Sequence, residues 1–221
     1  MKSRLLKDML YEQVARIGKS LASPKRLELV ELLAQGEKSV ETLAAQADLD
    51  MRLASAHLKA LREARLVVTR REGKYIYYRL SGPDVSQLWV AMRETAEEHL
   101  LELRLALEQM TSQPDTLVSE SRESLLEKAR QGEIVVIDVR PVSEFNAGHL
   151  PHARSLPLDE LERRLAELPM DRAIVAYCRG PFCLMSDEAV VLLAAKGYRI
   201  RKIRDGVSEW QAAGFPVEQG A

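Results

Sequence analysis

The sequence predicts two domains of different class: a mostly helical one with a β-hairpin, then an α/β one built on a parallel sheet. Three observations lead there. First, charge is divided: residues 1–82 carry 16 Lys+Arg and 10 Asp+Glu, net +6, and the rest carry net −7 within a chain total of −1. Second, the apolar spacing changes character. Up to Met110 helical steps of three and four dominate; beyond Thr116 helix-like and strand-like runs alternate. Third, the stretch between them, TSQPDT, has a linker's composition. The expected boundaries are 1–110, a linker at 111–116, and 117–221.

In chain order, residues 5–21 place Leu6, Met9, Leu10, Ile17 and Leu21 on one helical stripe. Ser23-Pro24 reads as a helix start, with Ser as N-cap and Pro at the first helical position. The helix Lys25–Gln35 turns Leu29, Leu32 and Leu33 inward, and Gly36 stops it. Ser39 opens a short helix, and Asp50 caps a longer one, Met51–Ala64, with Leu53, Leu58 and Leu61 inward. Two β-rich runs between Val67 and Leu80 flank a charged turn at Gly73, a hairpin signature. From Pro83 a helix is expected to about Met110, its apolar stripe long enough to need a partner helix. Beyond the linker, helices are expected at 122–130, 158–167 and 184–195, and strands at Ile134–Val139, Ile174–Tyr177 and about Ile200–Ile203. That alternation argues a parallel sheet.

Composition excludes several classes. Apolar residues at 46% and charged residues at 29% are ordinary for a globular protein. No run of eighteen apolar residues suits a membrane span, and the first twenty residues lack a signal peptide's apolar core. A cytoplasmic location without membrane attachment is expected. The two cysteines, Cys178 and Cys183, are too few for a disulfide framework or an all-cysteine zinc site. No cofactor and no metal is expected.

The basic half reads as a winged helix-turn-helix DNA reader. Met51–Ala64 is the second of a close helix pair and the recognition candidate. Arg52 and His57 suit base edges or phosphates, Ser55 suits either at shorter reach, and Lys59 adds charge. The hairpin offers Arg70, Arg71 and Lys74 to phosphates. Three blocks, Leu21–Leu27, His57–Ala64 and Arg71–Leu80, resemble the ArsR-type repressors. The resemblance implies a homodimer built on the first and last helices, bound to double-stranded operator DNA and released by an inducer. Many such relatives sense metals through cysteines on the helix before the recognition helix. Here that helix reads Ser39-Val40-Glu41-Thr42-Leu43, and His99 stands alone on the last helix, so metal sensing is not expected.

The acidic half carries the chain's only thiols in Tyr177-Cys178-Arg179-Gly180-Pro181-Phe182-Cys183, between a strand-like run and a helical one. Backbone N–H groups at a strand-to-helix turn favour a thiolate, and Arg179 adds positive charge. Asp138–Ala153 and Gly206–Val217 resemble the rhodanese family, whose catalytic cysteine corresponds to Cys178. In that family Asp138, Arg140, Glu144 and His149 would mainly hold the fold. Single-domain sulfurtransferases often place Arg or Lys where this chain has Cys183, and related phosphatases need His and Arg where it has Tyr177 and Leu184.

The site expected from these readings is Cys178 as nucleophile, Cys183 as resolving thiol, and Arg179 with Gly180 in the loop. The function expected is a dimeric repressor that senses reactive sulfur species or redox state through the cysteine pair. A sulfurtransferase forming a Cys178 persulfide, tethered to a DNA reader, is the alternative. A non-catalytic docking module is the third.

Overall fold

A computed structural model describes residues 2–110 and 116–220. The chain divides into two compact units within one helix, the first ending at Trp89 and the second beginning at Val90. Most of the expected linker, residues 111–115, lies outside the described residues.

The first unit comprises α1 (Lys2–Leu21), α2 (Pro24–Ala34), β1 (Lys38–Ser39), α3 (Val40–Gln46), α4 (Met51–Glu63), β2 (Val67–Glu72), β3 (Tyr75–Leu80) and the start of α5 (Pro83–His99). The caps act unequally. The Asp50 carboxylate accepts the N–H groups of Arg52 and Leu53 at 2.9 Å, and Ser39 accepts Thr42 N–H, but the Ser23 side chain makes no cap bond. Leu29, Leu43, Leu58 and Leu61 are fully buried and fix α2, α3 and α4 against each other. Leu53, expected inward, is instead 43% exposed, because Ala54, Leu58 and Leu61 form the buried stripe. The hairpin forms around Gly73, whose φ of 58° favours glycine. The short β1, not expected, pairs antiparallel with β3. Leu6, Met9 and Leu10 of α1 are mostly exposed.

The second unit holds the rest of α5, α6 (Leu101–Met110), α7 (Arg122–Gln131), β4 (Ile134–Asp138), α8 (Val142–Ala147), β5 (Arg154–Ser155), α9 (Leu158–Leu161), β6 (Ala173–Tyr177), α10 (Met185–Ala195), β7 (Ile200–Lys202) and α11 (Val207–Ala212). The single helix expected from Pro83 to Met110 is interrupted at Leu100; no Gly or Pro there signals the break. The helix expected over 158–167 is one α turn followed by a 3-10 stretch, Glu162–Glu167, with Arg164 outside helical angles.

The sheet runs β5-β4-β6-β7, all parallel. Strand β6 is flanked by β4 and β7, and Ile174 and Ala176 face one apolar cluster while Val175 and Tyr177 face another. Burial on both faces explains its continuous apolar run. The cysteine loop therefore leaves the carboxyl end of an interior strand, where open parallel sheets place their ligand crevices. Among the described residues no helix is long and apolar enough to cross a membrane.

Candidate functional site

The loop begins where β6 ends. Cys178 is 3% exposed and Cys183 is half-buried, and both are free thiols. The loop curls: Cys183 N–H donates to the Gly180 carbonyl at 3.1 Å, and Cys183's own carbonyl lies 3.3 Å from Cys178 Sγ. Ser186 Oγ, on the first turn of α10, is also 3.3 Å from that sulfur.

These contacts oppose each other. The Cys183 carbonyl favours a protonated Cys178, because a thiol can donate to it and a thiolate cannot. Burial also disfavours the charged form. Hydrogen bonds from the Cys183 thiol, from the Ser186 hydroxyl and N–H, and from the loop backbone at Gly180 outweigh both and bring Cys178 down to about 6. Cys183 moves the opposite way: its hydrogen bond to Cys178 and its burial hold its proton far above the usual thiol range. The loop thus favours the thiolate at Cys178 and a retained proton at Cys183.

The remaining loop residues act through backbone and anchor. Gly180 has φ 140°, and a Cβ there would lie 2.9 Å from Glu209 Oε2, so both conformation and space require glycine. Gly206 is constrained by space alone, since a Cβ would meet the Arg179 carbonyl. The Arg179 guanidinium is engaged by the buried Glu144 at 2.8 Å and tethers the loop to α8. Beneath it, Arg140 pairs with Asp138 at 2.5 Å, both fully buried, and donates to the Gly148 carbonyl. Tyr177 donates its hydroxyl to the same Asp138 at 2.6 Å and accepts Leu150 N–H. Burial and the Asp138 charge push the Tyr177 phenol well above its usual range, which keeps it a donor. His149 stacks on Phe145 and hydrogen-bonds through Nδ1 to its carbonyl. Asp138, Arg140, Glu144 and His149 are thus bound into the scaffold.

A cavity of about 400 Å³ opens beside the loop. Cys183 and Ser186 line it, with Leu107, Leu184 and Ile203 as apolar wall and Arg104 as a cation. Sequence reasoning missed Ser186, for which no motif exists. It also missed Glu209, whose carboxylate accepts the Gly206 N–H at the start of α11.

In the first unit, Arg52, Ser55 and Lys59 are exposed on one side of α4. At about 100° per residue they share one face. His57 is half-buried on the far side of the helix, so the structure does not join it to that group. Arg71 and Lys74 are exposed on the hairpin. Arg70 is engaged differently: its guanidinium binds Glu37 and Glu72, each at 2.6 Å, and lies over the Tyr77 ring.

Comparison with known proteins agrees with both halves. Residues 23–69 match the bacterial regulatory protein, arsR family, and residues 121–213 match the rhodanese-like domain. Over 215 residues the chain is 43% identical to the HTH-type transcriptional regulator Rv0324 of Mycobacterium tuberculosis, spanning 97% of this chain and 94% of that one. A sulfurtransferase of Allochromatium vinosum is 33% identical over 97 residues, covering 43% of this chain and 89% of that one. The homodimeric winged helix-turn-helix domain (fragment 1-100) of Mb0332 from Mycobacterium bovis is 46% identical, covering 43% of this chain and 89% of that one, with a TM-score of 0.41.

Proposed function

The chain belongs to the ArsR-family HTH-type transcriptional regulators and carries a C-terminal rhodanese-like domain, and we propose that it senses reactive sulfur through Cys178 and Cys183. One observation carries the reading: two free thiols share a single curled loop, with Cys178 Sγ 3.3 Å from the Cys183 carbonyl and 3.3 Å from the Ser186 hydroxyl. A turnover enzyme gains nothing from a second thiol there, because that thiol intercepts the sulfur before an acceptor arrives.

The chemistry follows from the two protonation states. The Cys178 thiolate attacks the outer sulfur of a persulfide, R–S–SH. A bond from Cys178 to that sulfur forms, the donor's S–S bond breaks, and the donor leaves as a thiolate that takes a proton from water. Cys183 then gives its proton to solvent and attacks the Sγ of Cys178. The Cys178–Cys183 disulfide forms and the terminal sulfur departs as HS⁻. Two thiols lose two electrons, and the sulfane sulfur gains them as sulfide. The cavity beside Cys183 and Ser186 is the donor's route to the otherwise buried Cys178.

The DNA-facing side is assigned to α4, through Arg52, Ser55 and Lys59, and to the hairpin, through Arg71 and Lys74. The regulator acts as a homodimer, for which the exposed apolar face of α1 is the available contact.

The test is operator affinity of the full chain, reduced and after a polysulfide, for wild type, Cys178→Ser and Cys183→Ser. A sulfur-dependent change in wild type that both variants lose supports the reading. Unchanged wild-type affinity ends it. Mass spectrometry of the 178–183 peptide separates a disulfide from a bridge that retains extra sulfur. Likeness to a sulfurtransferase favours a second reading, turnover with an external thiol acceptor. Thiosulfate turnover lost in Cys178→Ala but kept in Cys183→Ser would select it.

A further inference from the structure

One buried ion pair lies outside this chemistry yet touches the loop that performs it. Arg93 of α5 and Glu209 of α11 are each 3% exposed, with Nη1 and Oε1 2.5 Å apart. The other Glu209 oxygen accepts Gly206 N–H at 2.7 Å. The same carboxylate fills the space that a Gly180 side chain would need. The Phe182 ring centroid lies 6.0 Å from the Arg93 guanidinium carbon. Gly180 and Phe182, both between the two cysteines, therefore rest on this pair.

Arg93 sits on a helix that belongs to both units. Helix α5 is continuous from Pro83 to His99, and the division into units falls between Trp89 and Val90. Val85 and Trp89 are buried at four-residue steps before Arg93, so the guanidinium occupies the next position of the helix's buried stripe. A charge at such a position is costly unless it is paired, and a buried pair cannot fall back on water when its partner moves.

We infer that Arg93 is the positioning residue that couples the thiol loop to α5, and through α5 to the DNA-reading unit. The inference rests on the sulfur-sensing reading. Joining Cys178 to Cys183 closes a ring containing residues 179–182, and Gly180 and Phe182 must follow. Glu209 and Arg93 then adjust together, because separating them strands both charges in an apolar site. Coupling of this kind requires an element with two arrangements that both sites bias; the Arg93–Glu209 pair with the α5 segment is that element.

The experiment uses the full-length chain, with polysulfide as the probe. Operator affinity is measured by fluorescence anisotropy in the reduced and treated states, and sulfur loading by mass spectrometry. In wild type the affinity ratio between states is expected in the range of about 5–150. Arg93→Met is expected to load sulfur as wild type does and to bind DNA normally when reduced, with its ratio collapsing to within about twofold of unity. Arg93→Lys, which keeps the charge, is expected to retain most of the ratio. A full ratio in Arg93→Met overturns the inference and leaves sulfur sensing standing. No ratio in wild type overturns both. Should Arg93→Met fail to fold, Phe182→Ala on the half-buried loop takes its place: loss of the ratio supports the coupling, and an unchanged ratio overturns it.

Discussion

Replacing Cys183 with Ala tests the electrostatics of the loop directly. The Cys183 thiol is the foremost of the hydrogen bonds that stabilise the Cys178 thiolate against burial. A hydrogen bond to a charged group contributes about 1.5–3 kcal/mol, and one pKa unit corresponds to about 1.36 kcal/mol. Its loss therefore raises the Cys178 midpoint by about 1–2 units, from about 6 to the range of about 7–8. The sign is set by the charged form. A lowered thiol pKa stabilises the fold above the ordinary thiol range, and that contribution is lost as pH falls through the folded value. The Cys183→Ala variant thus forfeits stability at alkaline pH and gains none in acid. The assay is ultraviolet thiolate absorbance against pH; Cys178 is then the chain's only cysteine, so one transition is read. Cys183→Ser, which restores a donor, should hold the midpoint within about 0.5 unit of wild type. A midpoint that stays near 6 in Cys183→Ala, or an identical rise in both variants, would refute the assignment of Cys183 as the stabilising donor.

Arg71→Ala and Lys74→Ala should each weaken operator binding across sequences and reduce the salt slope by about 1. Arg70→Ala should do less than either, since Glu37 and Glu72 already hold that guanidinium; a larger loss would place Arg70 on phosphate when DNA is bound. Asp138→Ala strands the buried Arg140 and leaves Tyr177 without its acceptor, so urea unfolding should show the second unit destabilised by about 3–5 kcal/mol. Leu6→Glu with Leu10→Glu places charge on the exposed apolar face of α1, and sedimentation should show wild type as a dimer and this variant as a monomer.

Much of the architecture was legible because local signals and burial agree. Asp50 caps α4 as its position before an apolar-periodic run implies, and Gly73 turns the hairpin as a glycine between β-rich runs implies. The alternation beyond Thr116 implied the parallel sheet because its interior strands are apolar on both faces. The failures share a cause. Leu53 was placed inward by apolar character, yet Ala54 occupies the crowded position, where a small side chain lets the helices approach. The break at Leu100 has no local breaker residue. At the site, the thiols and Gly180 were visible as residue types. Ser186 and the Arg93–Glu209 pair were not, because they depend on which side chains converge through space. Arg93 did leave a trace: it continues the four-residue steps of Val85 and Trp89, and a charge on a buried stripe demands a counter-charge.

The placement of the loop on β6 has a consequence for how a signal could be read without cost to the fold. β6 has a partner strand on each side and apolar packing above and below, so its amides should be among the slowest to exchange with solvent. The seven residues that follow it are held by side chains and turns instead, and their amides should exchange far sooner. On the sulfur-sensing proposal, a bond formed within those residues would reshape the loop and its anchors while the sheet beneath keeps its register.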